Sequence, residues 1–211
     1  MERRKILSRF AGFILAIMVL AVVHGADSPI SNGDFEKTVT VPEKDAIYKR
    51  TESMNFKIES PLVLPEGWTL NLAATAKDGE FRLISDSTQA QSGNNCIYLK
   101  GHLMSSKTTD VNAGDEMDIS LYARNSEKSD VIFYFYCYGK NEEGKRTNIG
   151  ALSFPSETGT EWTLKSSKIK IPEAIQGKKL DQVKVALTSR AGAYIDNVQL
   201  SHRKAAGTVT E

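Results

Sequence analysis

The chain reads as all-β, an antiparallel β-sandwich or barrel, on three observations. Short segments alternate apolar and polar residues with a period of two. Clusters of Gly, Asn, Asp, Ser and Lys separate them at short intervals. Long stretches with an apolar period of about 3.6 residues are missing, as are repeats, heptads and low-complexity runs. Alternating segments bounded by turn residues mark half-buried strands, and many in succession mark a sandwich or barrel.

The first element is not a strand. "MERRKILSRFAGFILAIMVLAVVHGADS" places Arg3, Arg4, Lys5 and Arg9 before an uncharged apolar run, Phe10 to Val23. That run is shorter than the about 20 residues a membrane span needs, and the small residues Gly25 and Ala26 follow it. The pattern predicts a signal peptide over residues 1–25, cleaved near Gly25 or Ala26. It implies export, to the medium, the periplasm or the cell surface, with no stable membrane span after cleavage. The rival reading is an uncleaved N-terminal anchor, against which stands the absence of stop-transfer charges directly after the run. No cysteine near the cleavage point suggests a lipid anchor.

Residues 26–202 are expected to form one β-sandwich domain, with a flexible tail at 203–211. Its strands are read as "GWTLNLA", "GEFRLIS", "NCIYLK", "EMDISLYAR", "DVIFYFYCYG", "EWTLKSSKIKI", "QVKVALTS" and "AYIDNVQLSH". The turns between them are "KDG", "SGNN", "NAGD", "GKNEEGKR", "PSETGT" and "AIQGKK". A helix fits only the irregular region from Thr38 to Pro65.

Two strands can be read face by face, because successive side chains point to opposite sides. Met117, Ile119, Leu121 and Ala123 form one face; Asp118, Ser120, Tyr122 and Arg124 form the other. In the following strand Val131, Phe133, Phe135 and Cys137 match a core face, opposite Ile132, Tyr134, Tyr136 and Tyr138. A purely solvated face would carry Lys, Glu or Thr. Three tyrosines in a row suggest a half-dry groove, or a cover such as the 38–65 segment.

Charge excludes one partner class. The chain has 27 Lys+Arg and 26 Asp+Glu; loss of the leader leaves 23 against 25, net −2. Nucleic-acid binding needs a basic footprint that this balance does not supply. The two cysteines, Cys96 and Cys137, fall on opposite faces by parity (Ile97 and Leu99 turn Cys96 outward), which is poor geometry for a bridge.

Taken in order, the motifs resemble those of bacterial carbohydrate-binding modules of the xylanase- and glucanase-appended type. "NGDFE" is similar to that family's N-terminal signature, "EGWTLN" to its Gly-Trp strand, and "SGNNCIYL" to its turn into a strand. "VNAGDEMDISLYAR", "TEWT" and "AYIDNVQL" complete the series. The resemblance implies a galactose-binding-like jelly roll, a glycan or polysaccharide ligand, and separate glycan-degrading enzymes as associates. It also implies a structural Ca²⁺ where the first and last strands meet. Glu36 and Asp196 would supply carboxylates, and Phe35 and Asn95 backbone carbonyls. Calcium takes six to eight oxygens, and Ser92 stands where the family often has a glutamate.

For the ligand, Tyr122, Arg124, Tyr134, Tyr136 and Tyr138 are read as the outer faces of two paired strands. Lys184 and Thr188 project from a third. Tyrosine offers a stacking face and a hydroxyl, and arginine a fork of donors. Trp68 and Trp162 sit where the family has its core and core edge. Catalysis finds little support: His102 and His202 are isolated and read as solvated loop or tail residues, and no carboxylate pair is nominated. The expected function is therefore exported, non-catalytic carbohydrate binding. The alternative is an envelope or extracellular interaction module with the same fold and no glycan site. A small glycan-active enzyme is the third class.

Overall fold

Two long strands hold the fold together, and their length follows from a bend within each. The computed structural model describes residues 30–42, 55–59, 61–70, 78–125, 127 and 129–206. The proposed leader and its cleavage point lie outside these residues. In chain order the strands are β1 (Thr38–Thr40), β2 (Asn55–Ile58), β3 (Val63–Pro65), β4 (Trp68–Leu70), β5 (Asp78–Ser85), β6 (Asn95–Ser105) and β7 (Thr109–Asp110). Then come β8 (Glu116–Arg124), β9 (Ser129–Lys140), β10 (Arg146–Thr158), β11 (Thr163–Lys170), β12 (Ala174–Ile175), β13 (Lys178–Lys179) and β14 (Gln182–Arg203).

β14 pairs with β9 through residues 182–189 and with β8 through residues 194–203. On its other edge β6 follows it through both halves. One layer, sheet I, therefore runs β10-β9-β14-β6-β4; the other, sheet II, runs β11-β8-β14-β6-β5-β2. β6 and β14 pass from one layer to the other. The passage is made at a register shift between Ser189 and Ala193, where Gly192 takes φ 101° opposite the Gly101 side of β6. A side chain on Gly192 would strike the Tyr98 hydroxyl at 2.1 Å, so only glycine turns this corner. This is the expected jelly-roll β-sandwich.

The core is the space between the layers. Val131, Phe133, Phe135, Cys137, Val183, Val185 and Leu187 face in from sheet I, and Met117, Ile119, Leu121, Ala123, Ile97, Leu99 and Ile195 from sheet II. Alternation in β8 and β9 thus follows the sequence reading. Trp68 is buried, its indole N–H donating to the Asn32 carbonyl at 3.2 Å and its ring edge-on to Phe35.

Several expectations need correction. β8 and β9 do not pair; each pairs with a different half of β14, because the bend sends them to different layers. "QVKVALTS" and "AYIDNVQLSH" are one strand, not two. The turn expected at "PSETGT" begins inside β10, a 13-residue edge strand whose residues 147–154 carry no sequence assignment; it contains Pro155, which an edge tolerates because its missing N–H costs no ladder bond on the open side. Between Thr38 and Pro65 the described residues form β1, β2 and β3, with no helix. β14 runs to Arg203, and the Ala205 N–H donates to Asp115 Oδ1 at 2.8 Å; residues 207–211 of the expected tail lie outside the described residues. His202 is no solvated tail residue either, since its Nε2 meets buried Asp115 Oδ2 at 2.8 Å.

Among the described residues, no helix is long and apolar enough to cross a membrane. Both cysteines are free and buried, Cys137 in the core and Cys96 on the outer side beneath the Gln89 carbonyl. Burial raises the Cys96 thiol pKa to about 12.

Candidate functional site

On the outer face of sheet I, alternation aligns side chains across neighbouring strands. Tyr134, Tyr136 and Tyr138 project from β9. The register sets Tyr138 beside Gln182, Tyr136 beside Lys184, and Tyr134 beside Ala186 on β14. On β6, Met104 lies beside Ala186 and His102 beside Thr188. All three tyrosines and Lys184 are half-buried, whereas His102, Ala186 and Thr188 are buried.

The packing follows from side-chain size. Ala186 is small, so the larger rings of β9 reach across β14 toward β6. The Tyr134 and Tyr136 rings are nearly parallel, at 16° with centroids 6.1 Å apart, and both meet the His102 ring edge-on, at 5.7 and 5.5 Å. The Tyr136 hydroxyl and His102 Nε2 lie 3.2 Å apart, and His102 Nδ1 bonds the Thr188 hydroxyl. Burial lowers the His102 pKa to about 4, so the ring is neutral at neutral pH, one nitrogen donating and the other accepting. His102 was expected in a solvated loop; it instead anchors the aromatic row.

Tyr122 and Arg124, expected beside this row, belong to the outer face of sheet II. There Arg124 lies over two rings, 5.1 Å from the Trp162 centroid and 4.6 Å from Tyr194, while its Nη2 donates to the Gln89 carbonyl at 3.2 Å. Tyr194 meets Tyr98 edge-on at 5.2 Å, and Arg82 stands 4.7 Å over Tyr98. Trp162, Arg124, Tyr194, Tyr98 and Arg82 thus make one ladder of alternating rings and cations. Each of the three rings thus has a guanidinium over it, and the ladder ties neighbouring strands together. Tyr122 sits opposite Asp196 and Leu164 in the same layer.

The segment before β1, rather than β1 itself, meets the last strand. Gly33 lies against β14 so closely that a side chain would strike the Val198 carbonyl at 1.7 Å, and the Val198 N–H donates to the Gly33 carbonyl at 2.7 Å. Glu36 Oε1 accepts the Asn94 and Asn95 backbone N–H groups at 2.7 and 2.8 Å. Asp196 Oδ2 accepts those of Gln91 and Ser92 at 2.9 and 3.1 Å, and its Oδ1 that of Asn197 at 2.6 Å. The Asn95 amide donates to the Phe35 carbonyl at 3.2 Å.

Desolvation acts against the Glu36 carboxylate, but the Asn95 and Asn94 donors outweigh it and hold its pKa below the usual value. For Asp196 burial wins and the pKa is raised, the nearby Glu36 charge adding to the effect.

These residues do not fit a calcium ion as placed. All four carboxylate oxygens already accept N–H groups, Glu36 Oε1 and Asp196 Oδ2 two each, and the positive ends of these donors would repel a cation. The arrangement is a hydrogen-bonded clamp on the 91–95 turn.

Two concavities open elsewhere, beside β1 and β3. One of about 500 Å³ is lined by residues including Val41, Ile58, Glu59 and Leu62, and one of about 200 Å³ by Leu62, Phe81 and Arg82 among others. Among the described residues, neither is lined by a tyrosine.

No family model matches the chain, and no curated protein matches it. Among solved structures the chain is similar to the CBM22-1 xylan-binding domain of Xyn10C from Paenibacillus barcinonensis. The identity is 14%, over 71% of this chain and 91% of that one, with TM-score 0.43. A structure described as "CBM4 structure and function" is 12% identical over 82% of this chain and 99% of its own, with TM-score 0.40. The enzymatically active domain of tailspike protein 4 from bacteriophage CBA120 is 14% identical over 65% and 19%, with TM-score 0.43. These similar structures include carbohydrate-binding modules, the family that the motifs resemble; at such identities and scores no residue's role is transferred.

Proposed function

We propose that the chain is an exported carbohydrate-binding protein that holds a glycan, without reacting with it, on the outer face of sheet I. One observation carries this reading. Tyr134, Tyr136 and Tyr138 form a half-buried row flanked by Lys184, while in sheet II Tyr98, Trp162 and Tyr194 each already have an arginine over the ring. Successive tyrosines on one strand face are about 6.5–7 Å apart, of the order of one sugar unit, and their hydroxyls can pair with sugar hydroxyls. The non-catalytic reading is supported by where the titratable groups are spent. Glu36, Asp115 and Asp196 accept backbone N–H groups, and His102 pairs with hydroxyls rather than a carboxylate.

The test is affinity electrophoresis in gels containing plant or microbial polysaccharides, with wild type and Tyr138→Ala. Retardation of the wild type, weakened about tenfold by the substitution, supports the reading. Wild-type mobility unchanged in every polysaccharide would overturn it.

A further inference from the structure

We infer that the glycan held on sheet I is acidic, a polymer carrying uronate carboxylates, and that Lys184 is the group that reads the carboxylate. This rests on the carbohydrate-binding reading above. Lys184 projects outward between Val183 and Val185, which are both core residues, and lies beside Tyr136 in register. The residue is half-buried, and burial lowers its pKa. Among the described residues it takes part in no ion pair.

The groups that share this face are uncharged at neutral pH near its centre: the tyrosines, His102, Met104, Ala186, Thr188 and, on β4, Thr69 beside Met104. Among the described residues, the carboxylates of this face stand toward its ends. Asp110 is hydrogen-bonded by the Gln182 amide, and Asp130 faces Glu157 beyond Ile132. A half-buried cation with no ion pair among the described residues gives up hydration without compensation. A ligand carboxylate restores that compensation with a charge-assisted hydrogen bond, stronger than one from a sugar hydroxyl. The tyrosines then hold the pyranose rings, and Lys184 selects the rings that carry a charge.

The test compares polygalacturonate and polymannuronate with their carboxyl-reduced counterparts, by affinity electrophoresis and titration calorimetry. The acidic polymer should bind about tenfold more tightly than its reduced form, and the gap should narrow as salt rises. Lys184→Gln should abolish the gap between the two polymers, and Lys184→Arg should keep it. Equal affinity for the two forms, or a preference that survives Lys184→Gln, would overturn the inference and leave neutral glycan binding standing. The salt dependence needs no variant, so it decides the matter even if Lys184→Gln fails to fold. Failure to bind either form or any neutral polysaccharide overturns both readings.

Discussion

The Tyr136 hydroxyl on β9 meets His102 Nε2 on β6 at 3.2 Å, across the intervening strand β14. The contact crosses a strand because Ala186 leaves room, and it ties the outer aromatic row to a buried group. Tyr136→Phe should therefore act through the fold, since it leaves a buried ring nitrogen unsatisfied, at about 1–3 kcal/mol. For a domain of this size that is a melting temperature lower by about 2–4 °C per kcal/mol. Tyr138→Phe, outside this contact, should cost less in a thermal melt.

His102 also sets a pH dependence. Its folded pKa, about 4, is below the unfolded value of 6.5, so the unfolded chain binds the extra proton between them. Stability from this group is full above about 6.5 and falls as the pH drops toward 4. Denaturant melts over this range should show the decline, and His102→Gln should flatten it. An unchanged slope in the variant would place the proton elsewhere.

The Glu36 clamp leads to a prediction about metal. A chelator should leave the melting temperature unchanged, and added millimolar Ca²⁺ should not raise it. Glu36→Gln should lower stability by about 1–3 kcal/mol with or without calcium, because a charged acceptor of two backbone N–H groups becomes neutral. A calcium-dependent rise in the wild type that Glu36→Gln removes would show that the turn opens to admit the ion.

The sheet II ladder separates stability from binding. Arg124→Ala removes two ring contacts and the bond to the Gln89 carbonyl, and should cost about 1–2 kcal/mol in denaturant melts. Affinity for a retained polysaccharide should stay the same, since the proposed site lies on the outer face of sheet I. A matched loss of affinity would move the site to sheet II.

How far the sequence carried differs between fold and site. Alternation in "EMDISLYAR" and "DVIFYFYCYG" gave the buried faces correctly, because each strand needs only its own period of two. Which strands share a layer was not legible. Gly101 and Gly192 are bends within strands, but a glycine between alternating segments looks the same as a turn. Reading "NCIYLK" as ending before Gly101 hid the continuation "GHLMS", and with it His102. Reading "GKNEEGKR" and "PSETGT" as bounding only turns hid β10, whose alternation is weakened by Gly150 and Pro155. Tyr122 and Arg124 were grouped with the tyrosine row for the same reason, since a long strand serving two layers leaves no mark in a local pattern.

The central claim is that glycan meets the outer face of sheet I, and residue-level chemical-shift mapping tests it most directly. A soluble oligosaccharide from a polysaccharide that retards the protein is titrated into labelled protein. The largest shifts should fall on Tyr134, Tyr136, Tyr138, Lys184 and Thr188, with Trp162, Arg124 and Tyr194 unmoved. Shifts centred on Trp162, Arg124 and Tyr194, with the β9 tyrosines silent, would contradict it.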